Sequence, residues 1–92
     1  YYACYKNNVE IVKILIENNK TEINKPNNDG QTAFYHACYY NKIETVKLLL
    51  ENNKTEINKP DNDGWTPFFA ACFNNNLETI KILLAENKQE IN

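Results

Sequence analysis

A repeat of 34 residues constrains this sequence more than any other feature. Cys4, Cys38 and Cys72 follow one another at that interval, and residues 17–26 recur without a change as residues 51–60. Self-similarity at a fixed period of about 20 to 50 residues is typical of arrays in which each unit packs on its neighbours. The chain is therefore expected to build a stack of similar units.

Each period contains a short amphipathic helix, which the last period shows most clearly. Thr66 can cap a helix through its hydroxyl, and Pro67 suits the first helical position, where its missing N–H is not needed. Phe68, Ala71 and Cys72 then fall three and four residues apart and form one apolar stripe. This pattern predicts a helix of about two turns with one buried face.

A second, longer helix follows in each period. Its apolar residues recur at helical spacing, namely Ile43, Val46, Leu49 and Leu50 in one period and Leu77, Ile80, Leu83 and Leu84 in the next. Glu44 and Lys47 occupy the opposite side and are expected to face solvent. Since neither helix can bury its stripe alone, each helix pair must stack on the next pair.

These features resemble the ankyrin repeat family. The family signature T-P-L-H-x-A is matched by residues 66–71 (TPFFAA) and more weakly by residues 32–37 (TAFYHA). The hairpin-tip pattern Asp/Asn-x-x-Gly is seen in residues 27–30 and 61–64, and residues 43–50 resemble the family's second helix. The resemblance implies an all-α fold, a solenoid of stacked antiparallel helix pairs joined by β-hairpin loops.

The resemblance covers essentially the whole chain and implies a single domain, residues 1–92. It divides that domain into a partial repeat (1–26) and two further repeats (27–60 and 61–92). The chain is expected to be a fragment of a longer ankyrin-repeat protein, because it begins at Tyr1 and contains no Met. Neither end carries the polar substitutions of a capping repeat, so weak self-association through the uncapped ends is also expected.

The sequence departs from the family pattern in three ways. Tyr35 and Phe69 replace the signature His, so the hydrogen bonds from that His to neighbouring hairpins are expected to be missing or replaced by aromatic packing. Asn7, Asn41 and Asn75 replace the glycine that ends the first helix, at a cost of a few tenths to about 1 kcal/mol each. The period also exceeds the family's period of about 33 by one residue. Together these departures predict a less stable array than an idealised one.

No residue pattern predicts catalysis, a cofactor or a metal site. His36 is the only histidine, and no cysteine has a second ligand near it at zinc spacing. Equivalent helices of neighbouring repeats lie about 8 to 10 Å apart, whereas the Cα atoms of a disulfide lie within about 7 Å. The three cysteines are therefore not expected to form disulfides within the chain. The resemblance places the three cysteines at a small, buried position, so inert thiols are expected. The chain is therefore not expected to be an enzyme.

Charge and hydropathy narrow the partners and the location. The net charge is −2 and Lys alternates with Glu along the chain, which disfavours duplex DNA and anionic membrane surfaces. The longest apolar run, residues 68–73, is far shorter than the roughly 20 residues of a membrane-spanning helix. Free thiols and the lack of a signal-peptide pattern predict an intracellular, cytoplasmic location.

The resemblance also implies which residues meet a partner, since the family leaves the hairpin tips and the outward positions of the first helix free on its concave side. Those positions are Tyr5, Asn28, Asp29, Gln31, His36, Tyr39, Tyr40, Asn62, Asp63, Trp65, Phe73 and Asn74, with Tyr2, Lys6 and Ala70 completing the row. Aromatic residues concentrate binding energy at interfaces. Trp65, Tyr39 and Tyr40 are therefore the strongest candidates.

Three functions remain open at this point. The chain can be a protein-recognition module, or a structural spacer within a larger multidomain protein whose binding sites lie elsewhere. It can also be a surface for single-stranded RNA, with Lys6 and Lys42 contacting phosphates. Asp29 and Asp63 on the same strip disfavour RNA because they would repel its phosphates. Protein binding through the concave face is the favoured hypothesis.

Overall fold

Two stacked helix pairs make up the part of the fold that the structure describes. The computed structural model describes residues 13, 23–52 and 54–91. The helices are, in chain order, α1 (Ala33–Tyr39), α2 (Ile43–Glu51), α3 (Pro67–Phe73) and α4 (Leu77–Ile91). Each first helix packs on the second helix of its own repeat, while α3 also packs on α1 and α4 on α2. No β-strand occurs within those ranges, and the expected all-α stack is confirmed.

Several predictions concern the first 22 residues, of which only residue 13 is described. Tyr2, Cys4, Tyr5, Lys6 and Asn7 lie outside the described residues, and the predictions made for them stay predictions. The division of the chain into repeats after residues 26 and 60 also stays a prediction.

The first helix of each repeat begins and ends where local chemistry predicts. The hydroxyl of Thr32 accepts a hydrogen bond from the Tyr35 N–H at 3.1 Å, and Thr66 caps α3 in the same way, with Pro67 in the first turn. Asn41 and Asn75 follow these helices with φ of 57° and 56°. Asparagine tolerates this left-handed conformation better than most residues, so the predicted helix ends are confirmed.

Tight hairpins precede α1 and α3. The Asn27 N–H donates to the Gln31 carbonyl at 2.9 Å, and the Asp61 N–H donates to the Trp65 carbonyl at 2.8 Å. The side chain of Asp61 also accepts from the N–H groups of Asp63 and Trp65, at 2.9 Å each. These bonds fix the backbone conformation of each hairpin and the position of its last residue, Gln31 or Trp65.

The core lies between the helix layers of the two pairs. Its fully buried members include Phe34, Ala37, Cys38, Val46 and Leu49. Val46 and Leu49 belong to the apolar stripe predicted for α2, and that stripe is confirmed there. Burying a side chain of this size contributes about 1.5 to 3 kcal/mol.

The equivalent residues of the second pair are less buried than predicted. Cys72 is exposed although Cys38, one repeat earlier, is fully buried. Leu77 and Leu84, expected on the buried stripe of α4, are exposed as well. The second pair covers one face of the first, whereas nothing within the described part of the chain covers the corresponding face of the second. The predictions of a buried thiol at Cys72 and of a fully buried stripe on α4 are therefore wrong.

Hydrogen bonds between consecutive hairpins align the two repeats. The Asn62 N–H donates to the Asp29 carbonyl at 3.0 Å, and the Asn62 side chain donates to the Asn28 carbonyl at 2.8 Å. Gly30 has φ of +79°, and a Cβ atom there would lie only 2.6 Å from the Asn62 nitrogen. Glycine is therefore required at this tip both for its backbone conformation and for the close approach of the next hairpin.

A tyrosine takes over the role of the signature His. Tyr35 is 2% exposed, and its hydroxyl donates to Oδ2 of Asp61 in the next hairpin at 2.9 Å. Burial and this hydrogen bond raise the pKa of Tyr35, which stays neutral. The expectation that this hairpin bond would be missing or replaced by aromatic packing is wrong for Tyr35, because the longer phenol side chain reaches the carboxylate.

Candidate functional site

The predicted partner-binding residues lie on the surface made by the hairpin tips and the first helices, here named the hairpin–helix surface. Its exposed members are Asn28, Asp29, Tyr40, Asn62, Asp63, Phe73 and Asn74, and its half-buried members are Gln31, Tyr39 and Trp65. The α1–α3 contact brings the contributions of the two repeats together. The structure thus leaves these ten residues accessible, while their contact with a partner stays a prediction.

Two positions of the predicted row are buried. His36 is 7% exposed, and Ala70, its equivalent in the next repeat, is fully buried. His36 Nε2 lies 2.8 Å from Oε1 of Gln31, so the imidazole donates to that amide oxygen and holds the hairpin base. Burial lowers the pKa of His36, which favours the neutral ring. The expectation that His36 and Ala70 are outward is wrong, because both side chains are buried where the short helices pack on neighbouring helices.

Tyrosines dominate the part of the surface that belongs to α1. The rings of Tyr39 and Tyr40 meet edge to face with centroids 4.8 Å apart, and Tyr39 stacks on Tyr35 at 6.3 Å. The His36 ring lies 5.4 Å from that of Tyr40. Tyr39 and Tyr40 are therefore held by buried neighbours and still present ring surface to solvent.

Three aromatic rings meet on the part of the surface that belongs to the last repeat, and Trp65, Phe69 and Phe73 are here named the aromatic cluster. Phe69 packs against Trp65 edge to face at 4.6 Å and 88°, and Phe73 lies 5.2 Å from Trp65. Phe69 is 46% exposed and Phe73 is 64% exposed. Rings of this size are usually covered in folded chains, so their joint exposure marks the cluster as a candidate contact site.

Phe69 is the member that sequence reasoning missed. It occupies the position of the signature His, where the hairpin hydrogen bond was expected to be missing or replaced by aromatic packing, but it was not named among the predicted partner-binding residues. Without a hydroxyl it cannot form that bond, and its ring packs on Trp65 instead. A signal was present in the sequence, because Phe69 and Phe73 are four residues apart and share one face of α3, and Trp65 lies four residues before Phe69, just ahead of the helix.

Negative charge borders the aromatic cluster. Asp29 and Asp63 are exposed at the two hairpin tips, and Asp61 lies at the base of the second hairpin. Although burial alone would raise the pKa of Asp61, hydrogen bonds from the Trp65 N–H and the Tyr35 hydroxyl lower it overall. Asp61 is therefore ionised at neutral pH.

Two cysteines lie within the described part of the chain. Burial raises the pKa of the Cys38 thiol and keeps it protonated, while Cys72 is a free, exposed cysteine. Over the described ranges, no group of three His, Cys, Asp or Glu side chains could hold a metal ion. None of the helices in those ranges is long and apolar enough to cross a membrane.

Comparison with known proteins agrees with the architecture. No curated protein matches the sequence. The family model for ankyrin repeats, in three copies, matches residues 1–92 and thus the whole chain. The two described helix pairs, with their threonine caps and the hairpin glycines before them, fit that family. The chain therefore belongs to the ankyrin repeat family.

Proposed function

We propose that the chain binds a partner protein through the hairpin–helix surface, with the aromatic cluster as the main anchor. Ankyrin repeats are generally protein–protein interaction modules and are typically not enzymes. The observation that carries the proposal is the exposure of Phe69 and Phe73 in direct contact with Trp65. Large aromatic residues contribute most of the binding energy at many interfaces.

The rigidity of the scaffold supports this role. The backbone under the cluster is fixed by the Thr66 cap, by Pro67 and by the hydrogen bonds of the second hairpin. Edge-to-face contacts further restrict the rings of Trp65 and Phe69. These side chains are already ordered, so binding at this surface costs less conformational entropy than binding at a mobile loop would.

The side-by-side packing of α1 and α3, the first helices of the two described repeats, favours an extended ligand over a compact one. Helices α1 and α3 are in contact, and packed helix axes lie about 8 to 10 Å apart. A peptide segment lying across both helices can contact Tyr39 and Tyr40 on one side and the aromatic cluster on the other. We therefore propose that the ligand is an extended segment of a partner protein.

Selection from a random peptide display library tests the proposal. Peptides that bind the wild-type chain are measured against the Phe73→Ala and Trp65→Ala variants. Each substitution is expected to weaken binding by about 2 kcal/mol, or roughly 30-fold, if the ring is a hot spot. Each should change the free energy of unfolding by less than about 1 kcal/mol.

Leu77→Ala is the matched control, because Leu77 is 60% exposed and belongs to α4, which contributes no residue to the hairpin–helix surface. It should leave peptide binding unchanged. Leu49→Ala is the structural control that shows the effect of damaging the core, since loss of this buried side chain should destabilise the fold by about 2 to 5 kcal/mol. Selected peptides that bind Phe73→Ala and Trp65→Ala as tightly as the wild type would refute the proposed surface and favour the spacer hypothesis.

We also propose weak self-association in an intracellular, reducing setting. The outer face of the second helix pair exposes Cys72, Leu77 and Leu84, and Cys38 and Cys72 are free thiols. Exposed apolar residues of this kind promote association between copies. Sedimentation velocity should show a concentration-dependent increase in mass that Leu84→Lys abolishes, whereas a monomer at all concentrations would contradict the proposal.

A further inference from the structure

We propose that the segment recognised by the hairpin–helix surface is basic, with an apolar side chain that packs on the aromatic cluster and flanking lysines or arginines that face the hairpin tips. This inference rests on the proposed function and adds the chemistry of the partner. Its basis is the charge of the surface around the cluster.

The hairpins present only negative charge. Residues 27–31 and 61–65 contain Asp29, Asp61 and Asp63 and no lysine or arginine. The nearest basic residues along the chain are Lys25 and Lys59, each two residues before a hairpin, and Lys59 lies 3.8 Å from the Glu56 carboxylate. Since His36 is buried and favours its neutral form, it adds little positive charge to the surface.

The second hairpin carries both the Asp63 carboxylate and the Trp65 ring. The N–H groups of Asp63 and Trp65 both donate to Oδ1 of Asp61 at 2.9 Å. The exposed carboxylate of Asp63 and the Trp65 ring are therefore held by the same five-residue hairpin. The Asn62 bonds to Asn28 and Asp29 place the Asp29 tip directly beside it.

This arrangement discriminates between partners by charge. A cation near Trp65 gains from the negative face of the ring as well as from the neighbouring carboxylates. An acidic segment or a phosphate backbone would instead meet like charges, which disfavours its binding. The surface thus favours a basic peptide over an acidic one and over RNA.

The peptides selected on the 92-residue chain provide the test. Enrichment of lysine and arginine around an apolar residue is expected, together with weaker binding as NaCl concentration rises. Asp29→Asn and Asp63→Asn should each weaken binding by about two- to fivefold, the range of exposed charge pairs. Asp61 is left intact because it holds the hairpin.

Glu44→Gln and Glu78→Gln are the matched controls, since both carboxylates are exposed on second helices and each change removes the same charge. They should leave binding unchanged. Thermal melts should show that all four variants fold as the wild type does.

The outcomes separate this inference from the proposed function. Selected peptides that are acidic or neutral, insensitive to salt and yet dependent on Phe73 would overturn the basic partner and leave the proposed function intact. A selection that yields no peptide dependent on Trp65 or Phe73 would overturn both. Tighter binding of a polyuridine oligonucleotide than of any selected peptide, at the same surface, would also overturn both.

Discussion

Replacing Tyr35 by Phe removes a single hydroxyl that joins two repeats. That hydroxyl donates to the Asp61 carboxylate at 2.9 Å, and the tyrosine is 2% exposed. Hydrogen bonds to charged groups contribute about 1.5 to 3 kcal/mol. Asp61 is half-buried and keeps two backbone N–H donors, so a loss near the lower end, about 1 to 2 kcal/mol, is expected. For a domain of this size the midpoint of thermal unfolding should fall by about 5 to 10 °C.

Urea denaturation of four proteins measures this effect, namely the wild type, Tyr35→Phe, Asp61→Asn and the double variant. The coupling energy from this cycle should be about 1 kcal/mol. Phe69→Tyr is the control, because it adds the same hydroxyl one repeat later on a 46% exposed ring and should change stability by less than about 0.5 kcal/mol. A Tyr35→Phe variant as stable as the wild type, or a coupling energy near zero, would refute the role given to this bond.

Three further predictions concern the hairpins and the helix ends. Gly30→Ala should destabilise the fold by at least about 1 kcal/mol more than Gly64→Ala in urea denaturation, because only Gly30 is also crowded by the next hairpin; equal losses would contradict this. Asn75→Gly should raise the unfolding free energy by a few tenths to about 1 kcal/mol by relieving left-handed strain. Asn41→Gly should not raise the unfolding free energy, because it also loses the 2.7 Å hydrogen bond from the Thr79 hydroxyl. An equal rise in the thermal unfolding midpoint of both variants would be inconsistent with that bond. The pKa of Asp61 is lower in the folded chain than its unfolded value of about 3.9, so its contribution is present above that pH and is lost as the pH falls through the folded pKa. An acid titration of stability should therefore be shallower for Asp61→Asn, and an unchanged slope would count against the role of Asp61.

Local chemistry explains why the helix boundaries could be predicted from the sequence. Thr66 and Pro67 favour a helix start through their own hydroxyl and ring, and Asn41 and Asn75 tolerate the left-handed conformation that ends a helix. These preferences depend on a few neighbouring residues. They also recur at the repeat period, which made their register unambiguous.

Contacts between repeats could not be predicted in the same way. Tyr35 and Asp61 are 26 residues apart, and their bond exists only because the second hairpin lies beside the first helix. The burial of Cys38 and the exposure of Cys72 likewise depend on whether another helix pair covers that face. Sequence equivalence between two positions of a repeat therefore does not imply equal burial.

The candidate surface was predicted in outline and corrected in detail. Trp65 and Phe73 are accessible as expected, and their predicted contact with a partner awaits experiment. His36 was expected to face outward but is buried, where it forms a hydrogen bond with Gln31 and its ring lies 5.4 Å from that of Tyr40. Phe69 joined the surface because it lacks the hydroxyl that its tyrosine counterpart uses.

The central claim, protein binding at the hairpin–helix surface, is tested most directly by mapping backbone amide chemical shifts while a selected peptide is titrated into the chain. The largest changes are predicted at residues 61–65 and at Phe73 and Asn74, with smaller changes at Tyr39 and Tyr40. The outward side of α4, which carries Lys81, should stay unchanged. Largest changes on that side of α4, with none around Trp65 and Phe73, would contradict the account.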